Sequence, residues 1–157
     1  MSEPLHLLTV DQLRAELTAA ELGAIPEGVL GDEKAAEGEV QAWLAGMLVQ
    51  ACDSVVTAVN TCPRNKHIRT GLCKVPAGCV RTALVLARHA VISAIPGMAE
   101  TLEGSSRSAE YSTATAALQR LASCDLVPEY SLGESEGSSG TSGVTLVLGN
   151  PTNDYMF

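Results

Sequence analysis

From Val40 to Val59 the apolar residues Val40, Trp43, Leu44, Met47, Ala51, Val55 and Val59 recur at spacings of three and four. That is the helical period, and the stripe runs unbroken until Pro63. Asp32 is placed to cap this helix, with Glu33 in its first turn. At 1.5 Å per residue, a helix of roughly thirty residues would reach about 40 Å. A chain with such an element must lay other helices against it, so the element is expected at the centre of the fold. Gly38 and Gly46 weaken it by up to ~1 kcal/mol each relative to Ala, but let a neighbouring backbone approach closely.

Composition agrees with packed helices. The 157 residues are 46% apolar yet only 3% aromatic. The core must therefore be built from Ala, Leu and Val, which suits helices better than sheets. The aromatics are Trp43, Tyr111, Tyr130, Tyr155 and Phe157. Trp43 and Tyr111 are assigned to the core, and the other three fall in the last 28 residues.

The remaining elements follow from local signals. Thr9-Val10-Asp11-Gln12 has the form of a capping box, followed by Leu13 and Leu17 at helical spacing. Thr18-Ala19-Ala20-Glu21 repeats that signal, so the first helix is expected to break and restart there. Gly23, Pro26, Gly28 and Gly31 predict a loop. Val75-Pro76 is expected to open a third helix, with Val80, Leu84, Ala87, Val91 and Ala94 inward, ended by Pro96-Gly97. Arg81 and Arg88 share its polar edge. A fourth helix is predicted over 106–123, with Tyr111, Ala114, Leu118 and Leu121 on one side and Arg107, Glu110 and Arg120 on the other. The expected body, residues 1–125, is all-α: about four helices around one long central helix.

Residues 126–157 have a different composition. A Gly/Ser/Glu-rich stretch over 131–143 leads to Val144-Thr145-Leu146-Val147-Leu148, a run of β-formers, and then to a tip with Tyr155 and Phe157. A lone strand needs a sheet edge to pair with. With so little β-structure expected in the body, the arm is expected to dock on a neighbouring chain through Val144, Leu146, Leu148, Tyr155 and Phe157.

Charge is unevenly distributed. Residues 1–60 carry ten acids and two bases, whereas residues 61–96 carry six bases and no acid, within a net charge of −8. Such blocks meet either a partner of opposite sign or the acidic helices of their own chain, and the sequence leaves both open. Arg64, Lys66, Arg69 and Lys74, in the loop after the long helix, are the candidates to pair with a neighbour's acids or to face nucleic-acid phosphates. The negative total argues against wholesale attraction to nucleic acid or an anionic membrane. No uninterrupted apolar run reaches the 18 residues of a membrane span, and Met1-Ser2-Glu3-Pro4 lacks the basic start of a signal peptide. The chain is expected to be soluble and intracellular, with no membrane partner.

Five cysteines, an odd count, fit free thiols in a reducing compartment better than a disulfide framework. Cys52 and Cys124 sit in apolar helical patterns as small buried residues. Cys62, His67, Cys73 and Cys79 supply four zinc-type donors in one short segment, although no CxxC knuckle is present. A small zinc-binding regulatory protein is therefore the alternative function, while the favoured reading assigns no metal and no cofactor. No phosphate loop, dinucleotide fingerprint, nucleophile elbow or H-E-x-x-H motif occurs, and His6, His67 and His89 are scattered. No enzymatic activity is expected.

Several runs resemble head–tail connector (adaptor) proteins of tailed bacteriophages, particularly the Mu-like prophage connector group. They are Leu8-Thr9-Val10-Asp11-Gln12-Leu13, the Thr18-Ala19-Ala20-Glu21-Leu22 turn, and Glu39-Val40-Gln41-Ala42-Trp43-Leu44-Ala45. The Pro-preceded helix from Val75-Pro76 to Ile95 and a final helix around Tyr111–Leu121 complete the order, over about residues 7–125. Where that group's second helix usually ends in tyrosines, this chain has Val59-Asn60-Thr61-Cys62. The resemblance implies a small helical subunit of the virion neck, assembled in the host cytoplasm as a homo-oligomeric ring, usually of twelve, beneath the portal protein. Such a ring extends the channel through which double-stranded DNA passes without sequence recognition, and it docks the next neck or tail completion protein.

Overall fold

The computed structural model describes residues 5–102 and 105–128. The long helix is there: α3, Glu37–Thr61, has Val40, Leu44, Leu48, Cys52, Val55, Val56 and Val59 buried along one face. Trp43 and Met47, at the edge of the stripe, are only partly buried and pack on the core from outside. The helix starts later than the sequence indicates. Its N-cap is Ala36, without a side-chain cap bond, while Asp32 Oδ1 accepts from the Lys34 N–H in a turn. Such a local bond competes with helix entry, which is why an Asp can stop short of capping the helix that follows it.

Before α3 come α1, Val10–Ala15, and α2, Ala19–Gly28. Both begin with complete capping boxes, Thr9 with Gln12 and Thr18 with Glu21. The break and restart at Thr18 is therefore observed. The segment expected to be a loop is α2 itself, with Gly23 and Pro26 inside it. Buried Glu21 and fully buried Ile25 hold this helix against the body, and tertiary packing of that kind outweighs the poor propensities of Gly and Pro.

After α3, the chain does not enter a helix at Pro76. Lys74–Pro76 forms strand β2, which pairs antiparallel with β1, Leu5–Leu7, in the register Leu5↔Pro76, His6↔Val75 and Leu7↔Lys74. A 3-10 turn, Ala77–Cys79, then leads into α4, Val80–Ala94. Leu84, Ala87, Val91 and Ile92 face inward, and Ile95 lies at its end. α5, Ser106–Ala122, buries Ala114 and Leu121. The body is thus mostly helical, with one two-stranded sheet that the sequence analysis does not anticipate.

α3, α4 and α5 pack on one another, with α1 against α3 and α4. By length and mean hydropathy two helical runs among the described residues, Glu37–Thr61 and Ala77–Ala94, are apolar enough to cross a membrane. In each, 44% of the most apolar window is buried in the body, where the inward faces of α3 and α4 pack on one another.

Candidate interaction surface

The basic loop grows from the C-terminus of α3, where four carbonyls lack helical partners. Asn60 closes it with a two-way clamp: its Nδ2 donates to Ile68 O at 2.8 Å, and the Ile68 N–H donates to its Oδ1 at 2.9 Å. Asn65 Nδ2 donates to the terminal carbonyl of Val59 at 3.0 Å. Further along, the Gly71 N–H donates to Asp53 Oδ1 at 2.8 Å. Gly71 sits at φ +83°, a conformation that glycine adopts without steric cost. Ile68 is buried beneath the loop, and the Leu8 N–H donates to Cys73 O at 2.9 Å where the loop enters β2. The segment is held along its whole length.

Its root is also covalent. Cys62, the C-cap of α3, forms a disulfide with Cys124, just beyond α5, with an S–S distance of 2.01 Å. This corrects the expectation of five free thiols. Cys124 is not a buried helical residue but lies past the helix end with φ +68°. The other three cysteines are not disulfide-bonded; Cys52 and Cys79 are buried and Cys73 half-buried. Cys52 and Cys73 hydrogen-bond to each other. Burial, with Cys73 beside it, pushes the Cys52 thiol up to about 12.

The zinc set is therefore not assembled: Cys62 is bonded to Cys124, and Cys73 lies against Cys52. Among the described residues no three His, Cys, Asp or Glu side chains are grouped to hold a metal.

What the loop presents outward is positive. Arg64, Lys66, His67 and Arg69 are exposed and Lys74 is half-buried, with no acid anywhere in 62–74. Among the described residues Arg64, Arg69 and Lys74 have no ion-pair partner. Leu72 and Leu7, at 44% and 54% exposure, supply apolar contact beside the charges.

The two arginines of α4 behave differently. Arg81 bonds Glu16 at 2.8 Å and Glu110 at 2.5 Å, and Arg88 bonds the same two carboxylates at 3.5 and 3.1 Å. The four side chains close a ring between the end of α1, α4 and α5. Arg88 is buried rather than on a polar edge. Arg81 and then Arg88 hold the Glu110 carboxyl below the usual carboxylate range. The basic block is thus divided: the arginines of α4 find their acids within the chain, whereas among the described residues Arg64, Arg69 and Lys74 of the loop have no ion-pair partner.

Elsewhere, Glu21 and Arg107 pair between α2 and α5, and Arg14 pairs with Glu37 at 2.7 Å. His89 stacks on Tyr111 with ring centroids 3.5 Å apart. Burial, and then Arg88, lowers its pKa, so the ring stays neutral at pH 7. A shallow groove between α4 and α5 is lined by Arg81, Val85, Glu110, Thr113 and Ala117, a mixture of small side chains and already paired charges.

Of the sequence-derived interface residues, Arg64, Lys66, Arg69 and Lys74 fall on this one surface, whereas Val144, Leu146, Leu148, Tyr155 and Phe157 lie outside the described residues. Asn60, Asn65 and Asp53, which shape the loop, escaped the sequence analysis. The run Asn60-Thr61-Cys62-Pro63-Arg64-Asn65 does carry the signal of the two asparagines, since Asn on either side of a helix-stopping Pro is a turn-forming pattern.

Fold and surface together define a small, mostly helical protein with a pinned basic loop. Comparison with protein-family models, with curated proteins and with solved structures finds no match to this chain.

Proposed function

We propose that the chain is a structural subunit of a tailed-phage neck: a non-enzymatic adaptor that assembles as a ring below the portal, extends the DNA channel and docks the next neck or tail protein. The observation that carries this is the pinned basic loop, an outward surface of Arg64, Lys66, Arg69 and Lys74 held by the chain's own hydrogen bonds, in which Arg64, Arg69 and Lys74 have no ion-pair partner among the described residues. Holding like charges together in a rigid loop has a cost, and a partner of opposite sign offsets it.

Other features support the same function. The runs that resemble connector proteins lie on α1, at the start of α2 and on α3, in the order the resemblance implies. A virion is also among the settings where a disulfide such as Cys62–Cys124 persists after release from the reducing cytoplasm. The finer architecture proposed is a bundle built on α3, with residues 126–157 as an arm that carries Val144, Leu146, Leu148, Tyr155 and Phe157 to a neighbour. Partners in this account are further copies of the chain, twelve by the resemblance, together with the portal, a tail or neck completion protein, and DNA in passage. The zinc alternative needs Cys62 as a free thiolate, and nothing in the site favours it.

The test is co-assembly with the cognate portal ring, comparing the full chain with a truncation after Leu126. The full chain is expected to join the portal and support tail attachment, and the truncated chain to do so poorly. Equal performance by the truncated chain would remove the arm from the account; failure of both would remove the neck function.

A further inference from the structure

α3 separates two opposite charge clusters. Before and into its first turn, residues 27–39 hold Glu27, Asp32, Glu33, Glu37 and Glu39 against the single base Lys34, a net −4. At its other end, residues 62–74 hold Arg64, Lys66, Arg69 and Lys74 and no acid, a net +4. The 25 residues of α3 put about 37 Å between these ends.

The fold keeps the clusters apart. The loop folds back only as far as Asp53, where Gly71 is bound. At the opposite end, α2 closes against the end of α4: a Cβ added at Gly28 would lie 3.4 Å from Pro96 Cδ and 3.5 Å from Ile95 Cγ2. Glu27, Asp32, Glu33 and Glu39 are exposed, and among the described residues none of them has an ion-pair partner. Arg64, Arg69 and Lys74 are likewise unpaired. Although Glu37 is already paired with Arg14, the remaining charges of opposite sign at the two ends of the helix cannot neutralise each other within a molecule, since 37 Å is several Debye lengths at physiological salt. Two copies placed end to end can do so.

We infer that the occupant of the basic loop is the acidic end, residues 27–39, of a second copy of this chain. The contact is head-to-tail: two different surfaces meet, and each subunit keeps one of each kind free for the next. Repetition gives a closed ring if the rotation between copies returns to its start, and a filament otherwise. The inference deepens the neck-adaptor proposal by naming the subunit–subunit contact, and it rests on that proposal for closure into a ring. The pairing itself stands on the charge placement.

The experiment uses the full chain and two charge-reversed variants, one carrying Arg64→Glu, Arg69→Glu and Lys74→Glu, the other Glu27→Lys, Glu33→Lys and Glu39→Lys. Sedimentation is measured from about 20 mM to about 500 mM salt, a range that takes the screening length from about 20 Å to a few Å. The native chain is expected to self-associate at low salt and to dissociate as salt rises. Each variant alone should associate at least about tenfold more weakly, the loss of close opposite-charge contacts across an interface. An equimolar mixture of the two variants should recover association, because every contact then again joins unlike charges. If a reversed chain fails to fold, Gln at the same positions gives a milder pair: each variant alone should lose association, and their mixture should recover only as far as dimers, joined by the one contact that keeps both native surfaces.

A native chain that stays monomeric at all salts, association that either variant retains, or a mixture that does not recover would each overturn the inference. So would binding of a DNA duplex by the basic loop without self-association. Portal binding is scored separately. A chain that joins the portal while both variants assemble normally sinks this contact and spares the neck function, and mutual rescue of variants that never join a portal does the reverse.

Discussion

Glu21 shows how one buried carboxylate is kept charged. Burial alone would raise its pKa, but bonds from Arg107 and from the Thr18 backbone and side chain outweigh that, and the net shift is downward. Glu110 is lowered as well. A carboxyl lowered in the folded state contributes stability that is present above its unfolded pKa near 4.3 and is lost as pH falls toward the folded value. His89 works in the same direction at higher pH. Its lowered pKa favours the neutral ring in the fold, so stability begins to fall as pH drops below about 6.5. Chemical denaturation between pH 8 and pH 3 should therefore show a shallow decline below about 6.5 and a steeper one near 4. Glu21→Gln should flatten the second step and His89→Gln the first. The thiols provide a second check. Cys73 should react with alkylating reagents well before Cys52, whose pKa is raised to about 12 and which is fully buried, and mass spectrometry of the labelled peptides gives the order.

The long helix was legible because its period persists for five turns and no short-range signal competes with it. The element before it was not. Gly23, Pro26 and Gly28 are local breakers, and only the seating of Glu21 and Ile25 in the tertiary structure turns that segment into a helix. The three-residue strands β1 and β2 are too short for alternation to show, and Pro76, placed correctly as a boundary residue, closes a strand rather than opening a helix. The basic loop was visible as charge, but its clamps were not, since they depend on Asn60 meeting Ile68 in space. The Cys62–Cys124 bridge joins residues 62 positions apart, and an odd cysteine count cannot reveal such a pairing. Closing a loop of that length is worth about 4 kcal/mol in the chain-entropy account. Cys124→Ser should lower stability by about 2–4 kcal/mol in urea titrations, and a reductant should do the same to the native chain and nothing further to the variant. At the other end, Thr18→Ala removes one half of a capping box and should cost about 1 kcal/mol.

At the scale of the whole molecule, the net charge of −8 conceals a division of labour. Arg81, Arg88, Glu16 and Glu110 neutralise one another between the packed helices, while the loop and the acidic entry to α3 remain outside that arrangement, at opposite ends of α3. Of the two matches that the sequence left open, the internal one is observed for the α4 half of the basic block, where Arg81 and Arg88 meet Glu16 and Glu110. Within the body, the scarcity of aromatics leaves a core of Leu, Val, Ile and Ala around α3; truncating fully buried Leu44 to Ala should cost about 2–5 kcal/mol in the same titrations. That core accounts for the folding of the body, and the charged ends carry the proposed assembly. The most direct test of the neck-adaptor account is the mass of the complex formed when purified chain is added in excess to its cognate portal ring. The account predicts a discrete complex with a fixed number of copies, twelve by the resemblance, on each portal. A portal whose mass does not change, with the chain left unassembled beside it, would contradict it.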